Sequence, residues 1–438
     1  MSSAWRESVG LCVCAAFCIR GADSAAQSRG DTSLDLAPSA SSGNPATSPG
    51  GHSDADPANE HGVEWSARVG HGLTVRSRDD RFALTLRARM QVRFTGEIPV
   101  TPAMGADPFR GEFNLRRARI LMQGHALTPR FQYYIQLGVS PQDMEADLLI
   151  PLRDASLNYA FHDAIALRVG QMKVPFNRQR VISSSAQQFV DRSLANVELN
   201  LDRDIGLQFH SIKLLGGRLG YQVGVFGGSG RNRPALDSRF LYVARVQVQP
   251  FGRFEDMDHE CDFARGAPRL SVAVGAAFNH QSPRSGSTIG STYRLGRYDY
   301  LHGEVDMLFK WRGFTMQAEG LIRVADRPGT LGMAATGMST IEYARSAWGY
   351  MVQAAYMLPS QVEFGARWGQ VTPIALASAV PMVQTQDPSF VRSHELGGVV
   401  SYYAAQHGLK VQTDLFYLFG EALDAGRFQL RVQAQLYF

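Results

Sequence analysis

Arg87, Arg89, Gln91 and Arg93 stand on alternate positions of one segment, and Arg117 and Arg119 repeat that spacing further along the chain. A guanidinium is a rigid planar fork that can hold two oxygens of one anion, and it keeps its charge at any physiological pH. Cations at a spacing of two share one face of an extended chain, so they form a line of fixed positive charge. Lys173, Arg178, Arg180, Arg192 and Arg203 add a third set within the stretch from Lys173 to Asp204, interleaved with Asp191, Asp202 and Asp204. Such groups can guide small oxyanions by replacing part of their hydration. The acids offer a second role for Arg192 and Arg203, which is to pin the stretch to a wall through ion pairs.

Catalytic chemistry is not expected. His210, His302 and His394 stand in no recognisable nucleophile arrangement, and Gly227-Gly228-Ser229-Gly230 lacks the lysine and helix of a phosphate cradle. No cofactor and no metal are implied, and His52 and His61 read as solvated side chains. Net charge of +4 with no lysine-rich block gives no support for nucleic-acid binding.

The arginines need strands to align them. Phe82, Leu84, Leu86, Ala88, Met90, Val92 and Phe94 alternate with Thr85, Arg87, Arg89, Gln91 and Arg93, a period of two that separates the sets onto opposite faces. An arginine facing lipid at the bilayer midplane costs roughly 2–4 kcal/mol, so the cationic face must point inward. On the next strand, Arg117 and Arg119 face inward if Ala118, Ile120 and Met122 face lipid; the opposite register turns Arg116 inward instead.

The pattern recurs at 113–124, 130–138, 154–161, 165–172, 205–215, 219–226, 240–249, 270–280, 298–310, 314–323, 345–357, 361–370, 394–403, 409–418 and 427–438. With 82–94 this predicts an all-β, transmembrane, antiparallel barrel of about 16 strands. Tight connections at 162–163, 215–218, 311–313 and 358–360 interleave with long ones at 95–111, 173–204, 281–297, 324–344 and 371–392, the sorting expected of outer-membrane barrels. Connection 250–269 is the exception, being long on the short-turn side. Sixteen strands enclose an aqueous lumen. Phe94, Phe113, Tyr159, Phe161, Tyr356, Tyr402 and Phe438 would form aromatic girdles. Inward candidates on later strands carry both signs: Glu304, Asp306, Glu319, Glu363 and Asp414 against Lys310, Arg323, Arg367, Lys410 and Arg431. Their partial cancellation favours weak anion preference over tight binding.

Arg6, the apolar stretch Val9–Ile19 and Ser24-Ala25-Ala26 read as an export signal over 1–26, cleaved before Gln27. Cleavage would remove Cys12, Cys14 and Cys18 and leave Cys261 without an intramolecular partner. Residues 27–62 are rich in Ser, Ala, Gly, Pro and Asp and read as a disordered periplasmic tether, with the barrel at 63–438.

Phe113-Asn114-Leu115-Arg116-Arg117-Ala118-Arg119, Val169-Gly170-Gln171-Met172-Lys173-Val174-Pro175-Phe176, Asp202-Arg203-Asp204-Ile205-Gly206-Leu207-Gln208 and Gln317-Ala318-Glu319 resemble the phosphate-selective porins O and P. The resemblance implies a sixteen-stranded outer-membrane porin, a homotrimer, passing small anions such as phosphate, with the third long loop folded inward as a constriction. The last strand, ending in Phe438, resembles the signal read by the barrel-assembly machinery, and outer-membrane lipid would surround the wall. The chain lacks the coiled-coil segment that some relatives carry before the barrel. Arg87, Arg89, Arg93, Arg117, Arg119, Lys173, Arg178, Arg192 and Arg203 are the candidates for the anion pathway. A plugged structural or adhesive barrel is the alternative, and a barrel hydrolase a more distant one.

Overall fold

The computed structural model describes residues 62–102, 107–145, 148–234, 239–333, 338–380 and 382–438. The export signal and the tether up to residue 61 lie outside the described residues. The first elements are β1 (Val63–Arg68), β2 (Gly72–Ser77), β3 (Phe82–Pro99), β4 (Arg110–Ala126), β5 (Thr128–Gly138), β6 (Leu152–His162) and β7 (Ile165–Lys173). After a long loop come β8 (Arg203–Lys213), β9 (Leu219–Phe226), β10 (Leu241–Val248), β11 (Arg269–Ser282), β12 (Tyr298–Trp311) and β13 (Phe314–Ala325). The chain finishes with β14 (Gly329–Met333), β15 (Ser339–Tyr343), β16 (Ala347–Met357), β17 (Val362–Pro373), β18 (Ser393–His407), β19 (Leu409–Phe419) and β20 (Arg427–Tyr437).

Sixteen of these strands form one closed antiparallel barrel, as the alternation implied. Closure comes from β20 pairing with β3, from Tyr437 opposite Arg89 to Arg427 opposite Pro99. Phe438 extends the seam: its N–H donates to the Ala88 carbonyl at 3.0 Å, and the Ala88 N–H donates back at 2.8 Å. A closed ring leaves no sheet edge, the only way a sheet can satisfy its backbone groups inside lipid.

Two hairpins were not anticipated. β1 pairs with β2, and β2 with the first residues of β3, Val75 lying opposite Leu84. This extension covers the edge that β3 would otherwise present below the end of β20. The second hairpin, β14 with β15, stands in the long connection between β13 and β16. Strands of five or six residues hold too few alternations to separate from loop by periodicity alone.

Outward side chains are apolar around the ring. Val92, Val246, Val274, Val352, Leu396, Val400 and Leu415 are exposed, and so are the rim aromatics Phe113, Tyr159, Phe161, Tyr356, Tyr402 and Phe438. Inward faces are polar, with Gln91, Arg245, Asp306, Lys310, Arg323, Arg367, Lys410 and Gln433 all buried. Replacing Val92 with Arg should therefore lower folding stability in lipid by about 2–4 kcal/mol in a urea titration. A loss below about 1 kcal/mol would show that this face does not contact hydrocarbon.

Candidate functional site

The inner wall changes character around the ring, and that change decides where the longest loop goes. From β10 to β17 it includes Leu241, Val243, Ala277, Leu321, Ala347 and Val371, all buried and in one apolar cluster. The loop 174–202 folds inward and packs Val174, Phe176, Ala195, Leu199 and Leu201 onto that patch. Burying apolar area at roughly 25 cal/mol per Å² favours this docked position over solvent. Within the loop, Ser193 caps the short helix Leu194–Leu199, its Oγ accepting the Asn196 N–H at 3.2 Å. The third long loop is thus an inward constriction, and part of the lumen expected to be open is filled.

The unexpectedly long connection 249–268 also enters the barrel, from the short-turn side. Asp256, Glu260, Cys261 and Asp262 are all buried. Cys261 Sγ lies 3.2 Å from the Tyr403 hydroxyl and 3.5 Å from Glu363, enclosed by Met357, Tyr403 and Phe263. Burial first, then the Glu363 charge, pushes its thiol well above the ordinary value, so it is an unreactive packing residue.

A cavity of about 630 Å³ lies between the loop 174–202 and the wall built by β4 to β9. Its lining runs from His71, His407, Gly408 and Tyr437 at the short-turn end to Glu145, Arg284 and Gly290 among the long loops. The charged lining is unbalanced. Arg116, Arg117, Arg119, Arg153, Arg168, Lys173, Arg180, Arg192, Arg203, Arg231 and Arg284 face Asp143, Glu145, Asp154, Asp202 and Asp258.

Two β-bulges contribute to that excess. Gln91 pairs with Arg117 and Val92 with Leu115, leaving Arg116 as the extra residue of β4. Gln136 pairs with Asp154 and Leu137 with Leu152, leaving Arg153 as the extra residue of β6. A bulge breaks the in–out alternation locally, so neighbouring side chains can share a face. The two registers considered for the second strand are therefore reconciled: Arg117 and Arg119 point inward, and Arg116 reaches the cavity as well.

The candidate pathway residues separate into groups. Arg117, Arg119, Lys173, Arg192 and Arg203 line the cavity, whereas Arg87, Arg89, Arg93 and Arg178 do not. Arg87 is turned to the His71 carbonyl at 3.0 Å and the Tyr437 hydroxyl at 3.3 Å. Arg89 donates to Ser183 Oγ at 3.2 Å, and its Nε and Nη2 have no hydrogen-bond partner among the described residues. Arg93 binds Asp191 at 2.6 Å, and that one carboxylate also meets Arg117 at 3.3 Å, Arg116 at 3.6 Å and Arg431 at 4.0 Å. Arg119 and Arg153 share Asp143. Arg203 bonds Asp154 and Asp202, each at 3.0 Å, and Arg180 takes Asp202 as well. Lys173 donates to the Val181 carbonyl at 2.5 Å. Arg192 makes no ion pair among the described residues: it donates to the carbonyls of Gln179 at 2.8 Å and Ile182 at 2.9 Å, closing a turn within its own loop.

Arg168 could have been found from sequence, because period two places it opposite Ile165, Leu167 and Val169 on its strand. Arg153 could not, since a bulge turns it. Arg231 and Arg284 sit in irregular loops, where no periodicity exists to read.

Comparison with known proteins agrees with this architecture. Residues 86–252 match the model of the family phosphate-selective porin O and P, which bears out the resemblance read from the motifs in that segment. No curated protein sequence matches the chain. The outer membrane channel DcaP of Acinetobacter baumannii is 11% identical with a TM-score of 0.54, over 83% of this chain and 99% of that one. An anion-selective porin from Comamonas acidovorans is 11% identical with a TM-score of 0.51, over 82% and 100%. OmpT of Vibrio cholerae is 11% identical with a TM-score of 0.52, over 82% and 98%. The chain folds as a β-barrel like those of these outer-membrane proteins, a wall in the bacterial outer membrane.

The shared carboxylates make the docked loop resistant to acid. Burial pushes the Asp191 carboxyl up, but Arg93, Arg116, Arg117 and Arg431 outweigh it and hold it well below the usual range. Asp202, against Arg180, Arg203 and Arg153, behaves alike. A carboxylate depressed on folding contributes stability above its unfolded value near 3.9, which disappears only as pH falls through the lower folded value. Glu260 is shifted the other way, upward by burial, so its contribution is present at low pH and fades as pH rises through the raised value. For these carboxylates both signs predict that acidification from about pH 7 to about pH 4.5 leaves their hold on the loop intact. Hydrogen exchange of the Gln188 and Val190 amides, corrected for intrinsic rates, checks this; marked loss of protection at the lower pH would contradict it.

Proposed function

We propose that the protein is a passive channel for small hydrophilic solutes that prefers anions, inorganic phosphate among them, and that it works as a homotrimer. The observation that carries the reading is the lining of the cavity, where eleven cationic side chains face five carboxylates. In a narrow passage with low-dielectric walls, an excess of fixed positive charge raises local anion concentration and excludes cations. Arginine forks provide donors in pairs, suited to carboxylate and phosphate oxygens. The carboxylates interleaved among them keep the attraction shallow, so that an anion can leave as readily as it enters.

The family match and the anion-selective porin from Comamonas acidovorans support the anion preference by likeness. A trimer form of Vibrio cholerae OmpT supports the assembly in the same way. The plugged-barrel reading has one observation in its favour, since two chain segments enter the lumen and fill part of it. A hydrolase has none.

Single-channel recording of the purified protein under a potassium chloride gradient tests the proposal. The expected result is an open channel with an anion-signed reversal potential, and partial block of chloride current by added phosphate. Arg192→Gln with Arg116→Gln should move the reversal potential toward zero without altering the folded band on unheated gels. An unchanged potential would remove these residues from the selectivity mechanism, and no conductance at all would favour the plugged barrel.

A further inference from the structure

A cavity-lining part of the inward loop is held at both ends by the segment that enters from the opposite side of the membrane. At one end stands Arg178, fully buried, whose Nη1 donates to Asp256 Oδ2 at 2.7 Å and to the Asp256 carbonyl at 3.2 Å. Its Nε reaches Asp306 at 2.7 Å and its Nη2 reaches Ser271 Oγ at 2.8 Å. At the other end, the Glu260 carboxylate accepts the Gln188 N–H at 2.8 Å and Gln353 Nε2 at 3.0 Å. The Glu260 N–H donates to the Ala186 carbonyl at 3.0 Å. Between these anchors run residues 179–187, and Arg180, Val181 and Ser183 to Ala186 in that run line the cavity.

We propose that Asp256 and Glu260 are positioning residues for permeation: the periplasmic-side segment 249–268 sets the width and ion preference of the passage by fixing the loop that forms one of its walls. The proposal rests on the cavity being the conducting path. The strands share in holding the loop. Asp306 and Glu319 secure residues 177–179 to β12 and β13, the latter through Asn177 Nδ2 at 3.0 Å and the Gln179 N–H. Beyond Gln179 the wall holds the run through Gln91 Nε2 to the Ser184 carbonyl at 3.3 Å, Gln435 Nε2 to the Ser185 carbonyl at 3.1 Å and Lys410 Nζ to the Gln187 carbonyl at 2.8 Å, and Glu260 adds the Gln188 N–H and the Ala186 carbonyl. An electrostatic and hydrogen-bonded anchor of this kind orders a segment that has little apolar surface of its own.

Asp256→Asn leaves Arg178 paired with Asp306, so it loosens the anchor without stranding a buried charge. Glu260→Ala removes the acceptor for the Gln188 N–H, whereas Glu260→Gln retains an acceptor oxygen. Single channels of the parent and the three variants, with folding checked by heat-modifiable migration, decide the matter. The combined Asp256→Asn, Glu260→Ala protein should show conductance changed by about two-fold or more, added substates and open-channel noise, and a reversal potential nearer zero. Glu260→Gln alone should behave like the parent, a rescue that mere disruption of packing would not give. A combined variant that folds and conducts with parental conductance, noise and reversal potential would overturn the proposal. If that variant fails to fold, Glu260→Ala against Glu260→Gln decides by the same readouts. A parent indifferent to ion sign would refute anion preference, while conductance and noise would still decide the positioning role.

Discussion

A sheet can cross hydrocarbon only if every strand has two neighbours, and the rest of this molecule depends on that closure. The pairing of β20 with β3, extended by the exchange between Phe438 and Ala88, removes the last sheet edge. Closure in turn forces period-two alternation to divide the side chains between lipid and lumen. The inside of a barrel this wide cannot be filled by side chains from the wall alone, so the chain must either leave it to water or send loops into it. The β10 to β17 side, where the inner wall is partly apolar, receives the loop 174–202, and a cavity remains beside the cation-rich β4 to β9 side.

The enclosed charge is managed by sharing rather than by one-to-one pairing. A lone guanidinium removed from water is costly, and a buried pair is favourable only when its geometry and remaining hydrogen bonds are good. Asp191 meets four arginines and Asp143 two, while Asp202 serves Arg180 and Arg203. Each shared carboxylate relieves repulsion without cancelling the local excess of positive charge. The same arrangement can therefore stabilise the docked loop and leave a net field in the passage. Arg178 is the opposite case, a cation enclosed by Asp256 and Asp306 and turned wholly to structure.

The two inward segments come from opposite sides of the membrane and meet inside the barrel. Their contacts are mainly polar, through Asp256, Glu260, Gln188 and the Ala186 carbonyl. Polar contacts are directional and specify one relative placement, where apolar contacts would tolerate sliding. A loop positioned in this way can present Arg180 and Arg192 to the cavity.

The sixteen barrel strands, their inward and outward faces, the sorting of long and short connections and the cationic character of the early strands were all legible in the amino-acid order. Each is a local consequence of period two beside a lipid–water boundary, where a misplaced arginine costs several kcal/mol. The tertiary structure alone decided which arginines reach the passage. The bulges at Arg116 and Arg153 shift parity by one residue, and their cause lies in pairing with the neighbouring strand rather than in the segment itself. The destinations of Arg87, Arg93 and Arg178 were hidden for a related reason. Their partners Tyr437, Asp191 and Asp256 stand far away in sequence, and only closure of the ring and docking of the two inward segments bring them within hydrogen-bond reach.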